Sequence, residues 1–377
     1  MSSENIQAAL PSLEIDQKVA RQIEDFELPE KLGFGQVMAP VMYRARFREG
    51  VWQSSELLPY GPISIDPAAK VLHYSQEIFE GLKAYRYSNG TVALFRPLEN
   101  WCRFNRSAER MCMPAIPEAI FMEGVSAVSA FMADHIPTSP GQSLYLRPFM
   151  IGVDADLGLA ASVNNDFYII ASPSEAYQQG SFKVVIERRD CRAAQGGTGS
   201  VKVGGNYAAA LAAGRRVHSA GYDQSLWLDP SEHRYIEELS GMNVFALING
   251  VLHTPELSGS ILPGITRDSV MNLAKQVGLT VVERRIDIDD LLATIESGDC
   301  TEVFACGTAA VITPVSVLAD ANGTRYELGD QNPIASQLHT LLTGIQEGRH
   351  DDVFGWNWPI EDMFSFDKGA STYSGKA

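Results

Sequence analysis

The chain has 377 residues, 45% hydrophobic and 20% charged, an ordinary globular balance that excludes a disordered or fibrous protein. Its 30 basic and 46 acidic side chains give a formal charge of −16, so the average surface repels nucleic acid and anionic membrane, and an anionic substrate needs a local basic pocket. The length exceeds the usual single core and points to two domains.

Residues 1–33 are polar with scattered apolar positions and read as a loosely held arm. From Phe34 the text alternates in short pieces: Val41 to Phe47 reads as a strand, and Ile63-Ser64-Ile65 and Val71-Leu72 continue the pattern. His73 to Arg86 packs aromatics and charges around Gly81, ahead of the turn Ser88-Asn89-Gly90 and the strand Val92 to Phe95. Such a cluster suits a pocket wall and equally an ordinary core. Pro97 to Met111 sets Trp101, Phe104, Ala108 and Met111 at helical spacing, with Arg103, Arg106 and Arg110 among them, and Phe121 to Ile136 repeats the helical period. Ser143 to Ile151 is a strand with Tyr145 and Arg147 on one face, where an arginine beside a tyrosine can clamp a carboxylate. Asp166 to Ser172 is a second apolar strand, and Pro173 to Ser181 gathers Pro, Ser, Gln and Gly as a connection between domains.

Phe182 to Glu187 opens the second half as a strand. In Gly196 to Tyr207 a single lysine, Lys202, lies between two valines and is fenced by glycines. Val201-Lys202-Val203 alternates as a short strand, Gly204-Gly205 breaks it, and Asn206 is a good N-cap for a helix from Tyr207 to Val217. A partly buried lysine with room around it suits nucleophilic use, and the same text fits a solvated lysine on an edge strand. A phosphate-binding P-loop is excluded because Val201 and Val203 flank the lysine, and the dinucleotide fingerprint fails because its third glycine would fall on Lys202.

Ser225 to Leu228 is a further strand, after which Glu237 and Glu238 interrupt the apolar run Tyr235 to Leu247. Paired carboxylates at a turn are usually solvated, but one beside a small-residue bend can meet a cationic cofactor nitrogen. Leu262 to Asp268 leads into an apolar helix from Ser269 to Val277, and that junction presents backbone N–H groups to a phosphate, although many helix starts bind nothing. Val281 to Ile286 reads as a strand, Asp290 to Gly298 as a helix, and Glu302 to Ala305 as a strand leading into the small-residue loop Cys306 to Ala310. The tail beyond Asp367 is small and polar.

Five cysteines, odd in number and without a C-x-x-C, read as reduced, mostly packed thiols in a cytoplasmic protein. The seven histidines lie far apart with no H-E-x-x-H, so no metal is expected. Met1 to Phe26 does not read as a secretory signal, and no apolar run is long enough to span a bilayer.

The blocks HYSQEIFEGLKAYR, SLYLRPF, GGTGSVKVGGNYAAAL, YIEELSGMN, ELSGSILPGITRDS and EVFACGTAAVITPV together resemble the branched-chain amino acid aminotransferases, pyridoxal-phosphate enzymes of fold type IV. The likeness runs from about Phe34 to about Glu347, in the family's order and roughly at its spacing. It implies a two-domain α/β fold: an arm at 1–33, a smaller α/β domain at 34–174, a linker at 175–183, and a larger cofactor-binding pseudo-barrel domain at 184–377. It also implies transfer of the amino group of L-leucine, L-isoleucine or L-valine to 2-oxoglutarate, reversibly, giving branched-chain 2-oxo acids and L-glutamate.

By the same resemblance Lys202 forms the Schiff base with pyridoxal phosphate, Tyr207 contacts its phenolic oxygen, and Glu238 rather than Glu237 partners the pyridine nitrogen. Arg103, Ile265, Thr266 and Thr308 meet the phosphate, and the Thr308-Ala309 amides lie near the substrate carboxylate. Tyr74, Phe79, Tyr145 and Tyr177 line the substrate pocket, and Arg147 receives the side-chain carboxylate of glutamate. The family's habit implies a cytoplasmic homodimer, with Leu157 to Leu159 as a cross-subunit loop.

The sequence departs from the family in two places. Ala310-Val311-Ile312-Thr313 stands where mammalian members carry a redox C-x-x-C, so no thiol switch is expected there, and Gly241 replaces the threonine of the acidic block. Two rival readings are a D-amino acid aminotransferase or aminodeoxychorismate lyase, which lack the first two blocks, and a non-catalytic binding protein, against which the retained Lys202, Tyr207, Glu238 and Arg103 argue.

Overall fold

A computed structural model describes residues 13–177, 180–320, 322–329 and 331–360, with the backbone of 372 and 373. The chain divides into two compact units, 1–175 with 356–377, and 176–355. The returning C-terminal stretch corrects the expectation that everything after residue 184 forms one domain. Asn357–Pro359 pairs antiparallel with Val92–Phe95, and Trp356 packs edge-on against Phe95 with the Arg96 guanidinium over its ring. With that stretch added, the first unit is not the smaller of the two.

The first unit is an 11-stranded sheet with helices against it. Along its main path, strands 357–359, 92–95, 82–86, 143–152, 165–174, 41–48, 55–59, 13–15 and 372–373 lie side by side. The expected arm is therefore partly built in. Leu13–Ile15 pairs parallel with Ser55–Pro59, helix Lys18–Glu24 follows it, and Leu13 and Val19 are fully buried. Residues 1–12 lie outside the described set.

Helix Glu118–Phe131 is apolar almost all round, as a buried helix should be, and lies against the strands 41–48 and 165–174. Gly124 permits the approach, since a methyl there would stand 2.6 Å from Ile169 Cδ1 and 2.8 Å from Tyr43 Cδ1. Phe104, Phe121 and Phe167 meet beneath it with ring centroids 5.5 to 6.1 Å apart. Tyr43 keeps its buried hydroxyl satisfied by donating to Glu123 Oε1 at 2.8 Å. Val71 and Leu72, expected in a strand, lie in the short helix Lys70–Tyr74, and Ile63 to Ile65 join no strand.

The second unit is a mixed nine-stranded sheet that curls into a half-barrel, in the order 236–239, 224–228, 182–187, 311–319, 300–307, 243–248, 251–255 and 281–284, with 325–327 beside 311–319. Phe182, Val184, Ile186, Leu226, Leu228, Val303 and Leu318 are among the side chains that fill its core. The strand 182–187 is parallel to both neighbours, with Phe182, Val184 and Ile186 buried in the core and Lys183 exposed between them. Helix Ile265–Gln276 begins at Ile265, where the sequence placed its start at Ser269. The helix expected from Tyr207 to Val217 is broken into Gly204–Ala208 and Leu211–Ser219.

Candidate active site

Lys202 lies in the second unit. Val201 and Val203 are 7% and 2% exposed and Lys202 between them is half-buried, so the expected alternation is present. The expected strand is not, because residues 201–203 pair with no neighbouring strand. Val203 is extended, with φ −126° and ψ 147°, and serves as the N-cap of helix Gly204–Ala208.

Asn206, expected as that cap, sits inside the helix and does a different job. Its Nδ2 donates to the carbonyls of Thr198 at 2.8 Å and Val201 at 2.9 Å, and its Oδ1 accepts from the Thr198 hydroxyl at 2.7 Å. These bonds hold the backbone leading into Lys202, and Gly199 lets it pass beneath Ser260, whose carbonyl oxygen would be 2.3 Å from a methyl. The outcome is a lysine Nζ held 2.9 Å from the Tyr207 hydroxyl.

Glu238 comes to the same place from the strand Ile236–Leu239. Adjacent residues of a strand face opposite ways, and the two glutamates separate accordingly. Glu237 accepts from the Ser260 hydroxyl and lines one hollow with Asp229, Glu256 and Ser258. Glu238 lines another with Arg192, Tyr207, Gly241, Asn243 and Leu262. Glu238 is 3% exposed. Its Oε2 accepts the Leu262 N–H at 3.2 Å, while its Oε1 lies 2.7 Å from Arg192 Nε, whose N–H is not aligned for a hydrogen bond. Burial drives its carboxyl up to about 7, the neighbouring Glu237 adds to the rise, and Arg192, the Leu262 N–H and Lys202 oppose it.

The turn closing this hollow needs a glycine, because Gly241 has φ +77°. Gly307 lies against it, where a methyl would be 3.3 Å from Met242 Cγ, so the Thr308-Ala309 turn is set beside residues 241 and 242. Ile265 and Thr266 open helix Ile265–Gln276, where the first N–H groups have no acceptor within the helix. Arg267, next along, is turned away and pairs with Glu283 at 2.6 Å.

Of the substrate-wall candidates in the first unit, Phe79, Tyr145 and Arg147 gather. Arg147 Nη2 donates to the Tyr145 hydroxyl at 3.2 Å, and the guanidinium lies 4.8 Å from the Phe79 ring centroid. Arg147 Nε is buried without a hydrogen-bond partner. Gly81 makes room for this, since a methyl there would be 2.0 Å from the Tyr145 hydroxyl. Arg103 is 3% exposed and forms a two-point ion pair with Glu80, Nε to Oε1 at 2.6 Å and Nη2 to Oε2 at 2.8 Å. Tyr74 donates to the Leu157 carbonyl at 2.5 Å, and buried Lys70 holds Asp156 at 2.6 Å in the same loop. Tyr177 is exposed beside residues 178–179, which lie outside the described set.

The sequence model of the amino-transferase class IV family matches residues 77–318. The chain is 47% identical over 315 residues to a branched-chain-amino-acid aminotransferase of Mycolicibacterium smegmatis, covering 81% of this chain and 85% of that one. The chain belongs to the class IV amino-transferases. Within them it groups with the branched-chain enzymes. It is 43% identical over 340 residues to branched-chain-amino-acid transaminase 1 of Bacillus subtilis, covering 88% and 95%. Among solved structures it is similar to the T.th. branched-chain amino acid aminotransferase complexed with N-(5'-phosphopyridoxyl)-L-glutamate, with a TM-score of 0.72, 28% identity, and coverage of 86% and 100%.

For a class IV amino-transferase the surroundings of Lys202 make chemical sense: the amine meets a phenol, and that phenol lines one hollow with a buried acid. Arg192, Asn206 and Asn243 complete it. Asn206 was expected only as a helix cap and Asn243 stood inside a quoted block without a role, whereas Arg192 lies in an irregular stretch with no periodicity to mark it. Among the described residues no cluster of His, Cys, Asp or Glu is arranged to hold a metal.

Proposed function

We propose that this class IV amino-transferase moves the amino group of L-leucine, L-isoleucine or L-valine to 2-oxoglutarate, with pyridoxal phosphate bonded to Lys202. The observation that carries this reading is the Lys202 amine 2.9 Å from the Tyr207 hydroxyl, in the second unit with a buried carboxyl whose pKa is about 7. The residues present fit the cofactor. Gly241 keeps a side chain out of the turn facing Tyr207, and the donor set offers an amine for an aldehyde, an acid for a ring nitrogen and unpaired helix N–H groups for a phosphate.

When bound, pyridoxal phosphate supplies an electron-accepting ring and an aldehyde carbon that takes up the amino group. Glu238, poised near neutrality, holds a proton at the ring nitrogen. Lys202 would move the proton between the substrate Cα and the cofactor's aldehyde carbon, with Tyr207 orienting its Nζ. Ile265, Thr266 and Thr308 bind the phosphate with Arg103, and the Thr308-Ala309 amides take the substrate α-carboxylate. Tyr74, Phe79, Tyr145 and Tyr177 accept the apolar side chain of leucine, isoleucine or valine. Arg147 accepts the second carboxylate of 2-oxoglutarate. Between those visits its charge rests on the Tyr145 hydroxyl and the Phe79 face.

The working form is a homodimer. Leu157 and Leu159 are 64% and 87% exposed on a loop that Lys70 and Tyr74 tether, which suits a segment covered by a second copy. Among the described residues no helix is long and apolar enough to cross a membrane.

The test is L-leucine with 2-oxoglutarate and the purified, cofactor-loaded protein. Formation of L-glutamate and 4-methyl-2-oxopentanoate is expected. No glutamate from L-leucine, together with turnover of a D-amino acid, would move the chain to the D-specific branch of the class.

A further inference from the structure

Glu238 and the start of helix Ile265–Gln276 are joined through a single residue, Leu262. The Leu262 N–H donates to Glu238 Oε2 at 3.2 Å, and the Leu262 carbonyl accepts from Asn243 Nδ2 at 3.0 Å. Asn243 thus holds, by its carbonyl, the same residue whose N–H meets the acid. Its other atom meets Gly264, the N-cap of the helix, where a methyl would stand 2.0 Å from Asn243 Oδ1. Gly264 has φ −71° and ψ 131°, a conformation open to any residue, so the close approach of Asn243 is what excludes a side chain there. Asn243 is only 6% exposed and starts the strand Asn243–Ile248, whose ladder with Cys300–Gly307 anchors it from the first pair, Asn243 to Cys306. An amide fixed by a sheet therefore holds Leu262 through Nδ2 and fills the space at Gly264 with Oδ1.

We propose that Asn243 is a positioning residue: through Leu262 and the Gly264 cap it holds the acid for the cofactor ring and the helix start for the cofactor phosphate in one register. This rests on the functional reading given above. Losing the Nδ2 donor leaves the Leu262 carbonyl unpaired in a half-buried loop and lets the loop drift from both groups. Adding a methyl at Gly264 forces the same loop away from Asn243.

The experiment reloads cofactor-stripped protein with pyridoxal phosphate and, separately, with pyridoxal, which lacks the phosphate, in the wild type, Asn243→Ala, Gly264→Ala and the double variant. Gly264→Ala raises the dissociation constant of pyridoxal phosphate about tenfold and that of pyridoxal by less than about threefold. Asn243→Ala raises both, because it loosens the acid as well. The decisive result is the double variant: with Oδ1 removed, the extra methyl costs less than about twofold beyond Asn243→Ala alone, since the obstacle it met is gone. A merely structural role gives losses that multiply, and multiplication overturns the proposal, as does an unchanged Asn243→Ala. If Asn243→Ala does not fold, Asn243→Ser, which also removes Oδ1 from the path of the methyl, takes its place in the cycle with the same criterion. A wild type that binds pyridoxal as tightly as pyridoxal phosphate would instead count against the cofactor reading itself.

Discussion

The molecule contains two buried arginine–glutamate pairs that look alike in a sequence and differ in kind. Glu80 in the first unit is fully enclosed and well satisfied: Arg103 meets it with Nε and Nη2, Asn100 Nδ2 donates to it at 2.7 Å, and the Gly81 N–H at 3.2 Å. Glu238 in the second unit is as deeply buried, yet it receives one backbone N–H and an arginine nitrogen that is near but not aligned. The first arrangement meets its carboxylate with several aligned donors and locks a helix to a strand end. The second leaves the acid near neutrality, able to hold or release a proton. Burial alone does not make a group reactive. The number and aim of its donors decide.

The largest expected effect tests the locked side. Glu80→Ala strands the Arg103 charge, and breaking such a pair costs about 3 to 5 kcal/mol, read as a fall in the denaturation midpoint. A loss below about 1 kcal/mol would place Glu80 on a par with a surface pair.

The poised side shows in pH. Glu238 rises from 4.5 to about 7 on folding, so between those values the folded chain keeps a proton that the unfolded chain has released. The contribution is most favourable below about pH 4.5 and is lost as pH rises through 7, amounting to about 3 kcal/mol in the cofactor-free protein. Thermal unfolding of that form from pH 4.5 to 8, minus the same series for Glu238→Gln, isolates the slope. A flat difference would mean that Glu238 is as settled as Glu80.

Glu238→Gln also lowers kcat about 100-fold because the ring nitrogen loses its acid, while the fold survives because Arg192 keeps its hydrogen bonds to the Gly199 and Ser260 carbonyls. Circular dichroism and steady-state kinetics on one preparation give both halves of that statement. The smallest effect is at Arg147. Arg147→Met raises the KM for 2-oxoglutarate about tenfold and shifts that for L-leucine less than about twofold, since only the former brings a second carboxylate.

Much of this was legible because local text carries it. Helix Pro97–Arg110 and strand Phe182–Glu187 follow from apolar periodicity, whereas the choice of Glu238 over Glu237 came only with the family resemblance. What the text did not carry depends on distant partners. Leu13–Ile15 becomes a strand only because Ser55–Pro59 is there to pair with it, and Asn357–Pro359 leaves the second half of the chain for Val92–Phe95. Val201-Lys202-Val203 has the alternation of a strand without a ladder, because Asn206 ties off the carbonyl that a neighbouring strand would have used. Arg192 is invisible for the same reason: its meaning is its place beside Glu238, across the fold of the second unit.

The central claim is that Lys202 is the amine that carries the cofactor. Borohydride treatment of the purified yellow protein, followed by proteolysis and mass mapping, tests it directly. A pyridoxyl-phosphate mass fixed on the peptide containing Lys202, with none on Lys70 or Lys183, is the expected result. The same mass on another lysine, or a yellow colour that survives reduction with no lysine modified, would contradict it.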